Sequence, residues 1–242
     1  MGESKKDKEA RLVEITSSKK ETIEVKDGME AEVAIVSMAP ADKDLAVEIE
    51  ARIGKNASLK LVGCHLGGKE AKYSVSVEQG QASKCEHYEI GLLGGSQRLI
   101  ARTSHLHGKE GSYSRSHFRY AAAGSAQVDL EGNVEIARKA KGADAHFVAK
   151  SLLFSRDARM RLVPMLSVKT GEVKAGHGAA MAPVSADELF YLGARGIDGK
   201  EGRRMILLGF LLEPVASAKI DSGLAAQVER RILEKMGGLD GF

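Results

Sequence analysis

Tyr73-Ser74-Val75-Ser76-Val77 alternates large apolar with small polar side chains, which puts Tyr73, Val75 and Val77 on one face of an extended strand. The same period-two pattern recurs at residues 32–36, 45–49, 58–62, 127–130 and 133–136. Glycines such as Gly124, Gly132 and Gly142 separate these runs, and the helical period is scarce between Leu12 and about Ala180. Short strands at this spacing fit a sandwich, a barrel or a solenoid of stacked rungs. No exact repeat is present, and because β-helices tolerate irregular rungs, the residues leave sandwich and solenoid equally open.

The end of the chain differs in kind. Ser185-Ala186-Asp187-Glu188 reads as a capping box that starts a helix with Leu189, Phe190 and Leu192 on its apolar face and Gly196 at its end. A second helix is predicted from about Lys200 to Leu212, stopped by Pro214. A third runs from Ser222 to Lys235 with Leu224, Val228 and Ile232 on one stripe. Short, glycine-punctuated helices need a packing surface, either the β region or another protein.

At 242 residues the chain suits one large domain, or one plus an appendage. Its 36 basic and 33 acidic side chains leave a formal charge of +3, too balanced to argue for a phosphate-backbone binder, so no nucleic-acid partner is expected. No apolar run follows the charged start, and no stretch approaches the ~20 apolar residues of a membrane span, which predicts a cytoplasmic chain with no membrane partner. Cys64 and Cys85 are the two cysteines, which argues against a disulfide framework or a four-cysteine metal site.

Val173-Lys174-Ala175-Gly176-His177-Gly178-Ala179-Ala180, followed by Asp187-Glu188-Leu189-Phe190-Tyr191-Leu192-Gly193-Ala194-Arg195-Gly196-Ile197, resembles the SufB/SufD family of iron–sulfur cluster assembly scaffolds. Ser151-Leu152-Leu153-Phe154-Ser155 is similar to the same family's last β-helix rungs, so the likeness covers about residues 45–235. The resemblance implies a mainly β fold, a right-handed parallel β-helix with a C-terminal α-helical segment. It divides the chain into an N-terminal tail with short strands (1–44), a β-helix core (45–180) and a C-terminal helical docking segment (181–242). It also implies pairing with a second SufB/SufD-type subunit and docking of a SufC-like ABC ATPase through the terminal helices. No Gly-x-x-x-x-Gly-Lys-[Ser/Thr] loop is present, so ATP hydrolysis would belong to that partner and the chain itself would be no enzyme. A β-helix carbohydrate-active enzyme is the alternative, and it would need acidic residues converging on one rung face.

By resemblance, His177 is the candidate ligand of a transient iron–sulfur cluster. The family's thiolates are replaced: Ala175 stands where SufD-type members carry cysteine, Ala149 lies where SufB-type members carry theirs, and Gly176 and Gly178 stand in place of flanking glutamates. Leu189, Phe190, Tyr191, Arg195 and Gly196 form the expected ATPase contact. Spacing alone puts Cys85 and His87 on one face, Cys64 and His65 on opposite faces, and His105 with His107, the latter pair as a surface metal pair or a polar ladder. Arg156, Arg159, Arg161, Lys169 and Lys174 read as a solvated basic face or a partner surface.

Overall fold

The computed structural model describes residues 8–238. Its strands follow in chain order: β1 (Lys8–Ile15), β2 (Lys19–Val25), β3 (Glu30–Ser37), β4 (Leu45–Ile53), β5 (Ser58–His65), β6 (Glu70–Gln79), β7 (Lys84–Leu93), β8 (Arg98–His107), β9 (Tyr113–Ala122), β10 (Gln127–Ile136), β11 (Asp144–Leu153), β12 (Arg159–Val168) and β13 (Lys174–Pro183). Odd-numbered strands form a seven-stranded sheet and even-numbered strands a six-stranded one. Each strand pairs in parallel with the strand two further along, which makes the molecule a parallel β-helix and excludes the sandwich.

Among the described residues the stack is present from Lys8 on, so the segment expected to hold a tail and short strands supplies β1, β2 and β3, the first of them pairing with the third from Lys8↔Glu30 to Ile15↔Ser37. The alternation there is masked by Lys and Glu on the outward face, where Lys20 pairs with Glu48 and Glu50. Between the sheets lies a continuous core that includes Ile35, Ile49, Leu61, Leu99, Phe118 and Phe147. Inward positions alternate with outward ones along every strand, which is the physical content of the Tyr73-Val75-Val77 pattern.

Gly132 does not separate two strands; it lies inside β10, which runs unbroken from Gln127 to Ile136. The ring of Phe147 fills the space a Cβ at that position would take. Here the glycine records a close approach and not a turn.

Three helices close the described chain: α1 (Ala186–Gly193), α2 (Gly199–Ala218) and α3 (Ser222–Gly237). Ser185 Oγ accepts from Glu188 N, Asp198 caps α2 and Asp221 caps α3. Contrary to the sequence expectation, α2 continues through Pro214. The lost hydrogen bond is offset by burial of Leu207, Leu211, Pro214, Val215 and Ala218. A second apolar core, containing Val62, Cys64, Tyr88, Ile90 and Leu92 of the seven-stranded sheet, packs against Leu207, Leu211, Val228 and Ile232 of α2 and α3. Arg119 Nη2 pairs with Glu213 at 2.9 Å and its guanidinium lies 5.0 Å from the Phe210 ring, fixing α2 to β9.

Candidate functional site

β13 and β12 end their sheets, so the last coil of the solenoid is open. Leu61, His87, Ser116, Phe147 and His177 are consecutive members of one in-register column. Its first four members are covered by the next coil, whereas His177 has no described strand beyond it and is exposed. Ala175, Ala179 and Met181 flank it on β13, and Met160, Leu162, Pro164, Leu166 and Val168 occupy the corresponding inward positions of β12. The result is an uncovered cross-section of the core, with Val168 43% and Met181 49% exposed.

The two ends are unlike. β1, at the opposite edge, is held by charges: Arg11 pairs with Glu21 at 3.0 Å, and Glu14 with Arg231 of α3. Charged side chains protect an edge strand from adding another strand. β13 from Ala175 to Pro183 carries no Lys, Arg, Asp or Glu. In β12, Pro164 cannot donate a ladder hydrogen bond, which leaves β13 as the edge equipped to pair.

Leu189 and Leu192 of α1 are half-buried against α2, whereas Phe190 is 79% and Tyr191 56% exposed. The Arg195 guanidinium lies 4.6 Å from the Tyr191 ring, and Gly196 adopts φ +83° in the turn that leads to Asp198. This aromatic pair therefore stands clear of both cores, so the expected apolar face is split: the leucines turn inward and Phe190 outward.

The remaining histidine and cysteine candidates go elsewhere. Cys64 lies fully buried beneath α2 and α3, Cys85 lies inside the coil, and burial pushes both thiols well above the usual range. Neither approaches β13, because β9 and β11 stand between β7 and that edge. His105 and His107 are not a surface pair: both face the interior and are fully buried. His107 bonds Ser112 and Ser114 Oγ at 2.8 Å each, and His105 Nε2 lies 3.0 Å from His87 Nδ1. His117 faces outward and stacks on Tyr88.

Glu89 is the polar centre that the sequence reading passed over. Its two carboxylate oxygens lie 2.5 Å from His65 Nε2 and His87 Nε2, and Gly63, in register beside it, leaves room for the carboxylate. A carboxylate only accepts, so both facing nitrogens carry protons. Among the described residues His105 Nδ1 has no hydrogen-bond partner, and its Nε2 faces His87 Nδ1. Burial works to raise the Glu89 carboxyl, and the charges and hydrogen bonds of His65 and His87 outweigh it, holding it down to about 2. Among the described residues no group of three or more His, Cys, Asp or Glu side chains is arranged to hold a metal ion.

A terminal HGA-type strand on an open parallel β-helix, with aromatic residues on the helix that follows, is the arrangement the sequence resemblance implied. A family model described as "SUF system FeS cluster assembly, SufBD core domain" matches residues 5–210. The chain belongs to the SufBD family. Its match takes in all thirteen described strands, β1 included. An iron–sulfur cluster assembly SufBD family protein of Mycobacterium bovis is 30% identical over 194 residues, covering 75% of this chain and 49% of the relative. Another, of Synechocystis, is 26% identical over 185 residues, covering 74% of this chain and 41% of the relative. The chloroplastic protein ABCI7 of Arabidopsis thaliana is 32% identical over 158 residues, covering 62% and 32%. The SufBD chain thus spans under half the length of these relatives. No helix among its described residues is long and apolar enough to cross a membrane.

Proposed function

We propose that this SufBD-family chain is a scaffold subunit of a SUF-type iron–sulfur cluster assembly complex. In this reading it pairs with a second SufB/SufD-type subunit along β13 and docks a SufC-like ABC ATPase through α1. The observation that carries the proposal is the open coil: an uncharged strand edge beside an uncovered apolar cross-section, opposite an end closed by charge. Gly176 and Gly178 leave little side-chain bulk on β13, so a second strand could add to the sheet and bury the Met181 and Val168 surfaces.

In that pair His177 would face the seam. A single imidazole does not hold a cluster, and Ala149 is sealed inside the coil while Ala175 brings no thiolate. The cluster, as cargo, would therefore take His177 as one ligand and the remaining ligands from the second subunit. Phe190 and Tyr191 would enter a groove of the ATPase, which supplies the nucleotide hydrolysis. A carbohydrate-active reading is less well supported, because outward carboxylates of the six-stranded sheet are tied to basic neighbours, Asp129 and Glu131 to Arg161 at 2.8 and 2.7 Å.

Pairing is tested by sedimentation of the wild-type chain, alone and with a second SufB/SufD-type subunit, beside Met181→Asp and Gly178→Pro. A pair that the substitutions split into monomers supports the reading. A wild type that stays monomeric in both settings overturns it.

A further inference from the structure

A second surface adjoins α1. The β11–β12 turn, the end of β13 and the start of α2 enclose a cleft of about 550 Å³ with Phe154, Met160 and Met181 among its apolar walls. Arg156, Arg159 and Arg203 line the same cleft, and no acidic residue does. Arg159 Nη1 donates to the carbonyls of Arg156 and Ala158, and Arg203 Nη1 donates to the carbonyl of Phe154, so both heads are held by backbone oxygens that carry no formal charge. Arg102, Arg115, Arg119, Arg161 and Arg231 each meet a carboxylate, whereas the three cleft arginines, like Arg52, Arg138, Arg195 and Arg204, meet none among the described residues. The nearest carboxylate in sequence, Asp157, is exposed and does not line the cleft.

We propose that this cleft receives an acidic segment bearing an apolar side chain, contributed by the same partner that α1 grips. The proposal rests on the docking reading above and adds the chemistry of the partner's contact. Three guanidiniums that meet no carboxylate among the described residues, over an apolar floor, complement a carboxylate-rich strand or loop, with the apolar residue seated on Phe154 and Met160. Val184 of the cleft leads directly into the Ser185 cap of α1, so one partner can cover Phe190, Tyr191 and the cleft together.

Binding of the SUF ATPase to the full chain, measured at about 50 and 300 mM salt, tests this. Arg156→Glu with Arg159→Glu should weaken binding about tenfold at low salt and flatten its salt dependence, while Arg156→Lys with Arg159→Lys keeps most of the affinity. Both positions are exposed, so the thermal midpoint should not move. Binding unaffected by charge reversal, yet lost in Phe190→Ala with Tyr191→Ala, overturns the cleft and leaves the docking reading standing. Absence of wild-type binding overturns both.

Discussion

Glu89 and His87 sit two residues apart on β7 and meet inside the coil, with His87 Nε2 donating to Glu89 Oε1 at 2.5 Å. Residues i and i+2 share a face of a strand, so a single strand carries both partners, and β5 brings His65 to the other carboxylate oxygen. The group is sealed: Glu89 and His87 are fully buried, and Tyr73 and Tyr120 enclose them with hydroxyls that burial and the nearby Glu89 raise far above their usual range. In so dry a setting, a group that loses its partner loses the full hydrogen bond.

Glu89→Gln should therefore lose about 3–5 kcal/mol of stability, because two imidazole N–H groups lose the anion they donate to. Urea unfolding followed by circular dichroism measures this. A midpoint within error of wild type would show that the network contributes nothing.

Acidification should destabilise the fold in two stages. Burial lowers His107 to about 4, with Asp144 opposing, and lowers His105 well below its ordinary value, with His87 and His107 adding to the effect. The unfolded chain therefore binds these protons first, and stability present above pH ~6.5 falls as the pH drops toward 4. Glu89, held down to about 2, adds stability that is lost between about pH 4.5 and 2. Denaturation midpoints across pH 7.5 to 3 should decline throughout, and His107→Gln should shallow the upper stage. A flat profile between 6.5 and 4 contradicts the assignment.

Gly132→Ala should cost about 1–3 kcal/mol, since its methyl group would occupy the space of the Phe147 ring. Phe147→Leu in the same chain should recover part of the loss. Thermal melts of the two single variants and the double variant give the coupling, and simple additivity would refute the contact.

Cys64 and Cys85 should resist thiol reagents in the native state and react fully in denaturant. Replacing both by Ala should leave the yield of reconstituted cluster unchanged, whereas His177→Ala should lower it in the paired complex. Absorbance in the sulfur-to-iron charge-transfer region reads both outcomes.

The strands of the middle coils were legible because their inward side chains are apolar and their outward ones polar. The parallel pairing was not, since the distance between paired residues varies: 26 separate Ser58 from Lys84 and 31 separate Tyr113 from Asp144, so no fixed period reaches the sequence. Alternation also cannot say which face is inward, and this is why His105 and His107 could be taken for a surface pair. Pro214 and Gly132 misled for a common reason. Local propensity yields to a packed neighbour, α2 on the sheet in one case and Phe147 in the other. His177 was found through the family motif alone, and its exposure follows from its strand being last, a fact no local pattern encodes.

The contrast between the charged β1 edge and the bare β13 edge bears on how far association can proceed. In the proposed pairing, a rod adhesive at one tip and charged at the other would form a closed couple, since the tips left free would be the charged ones. Growth into fibres, the standing hazard of stacked strands, would thereby stop at two.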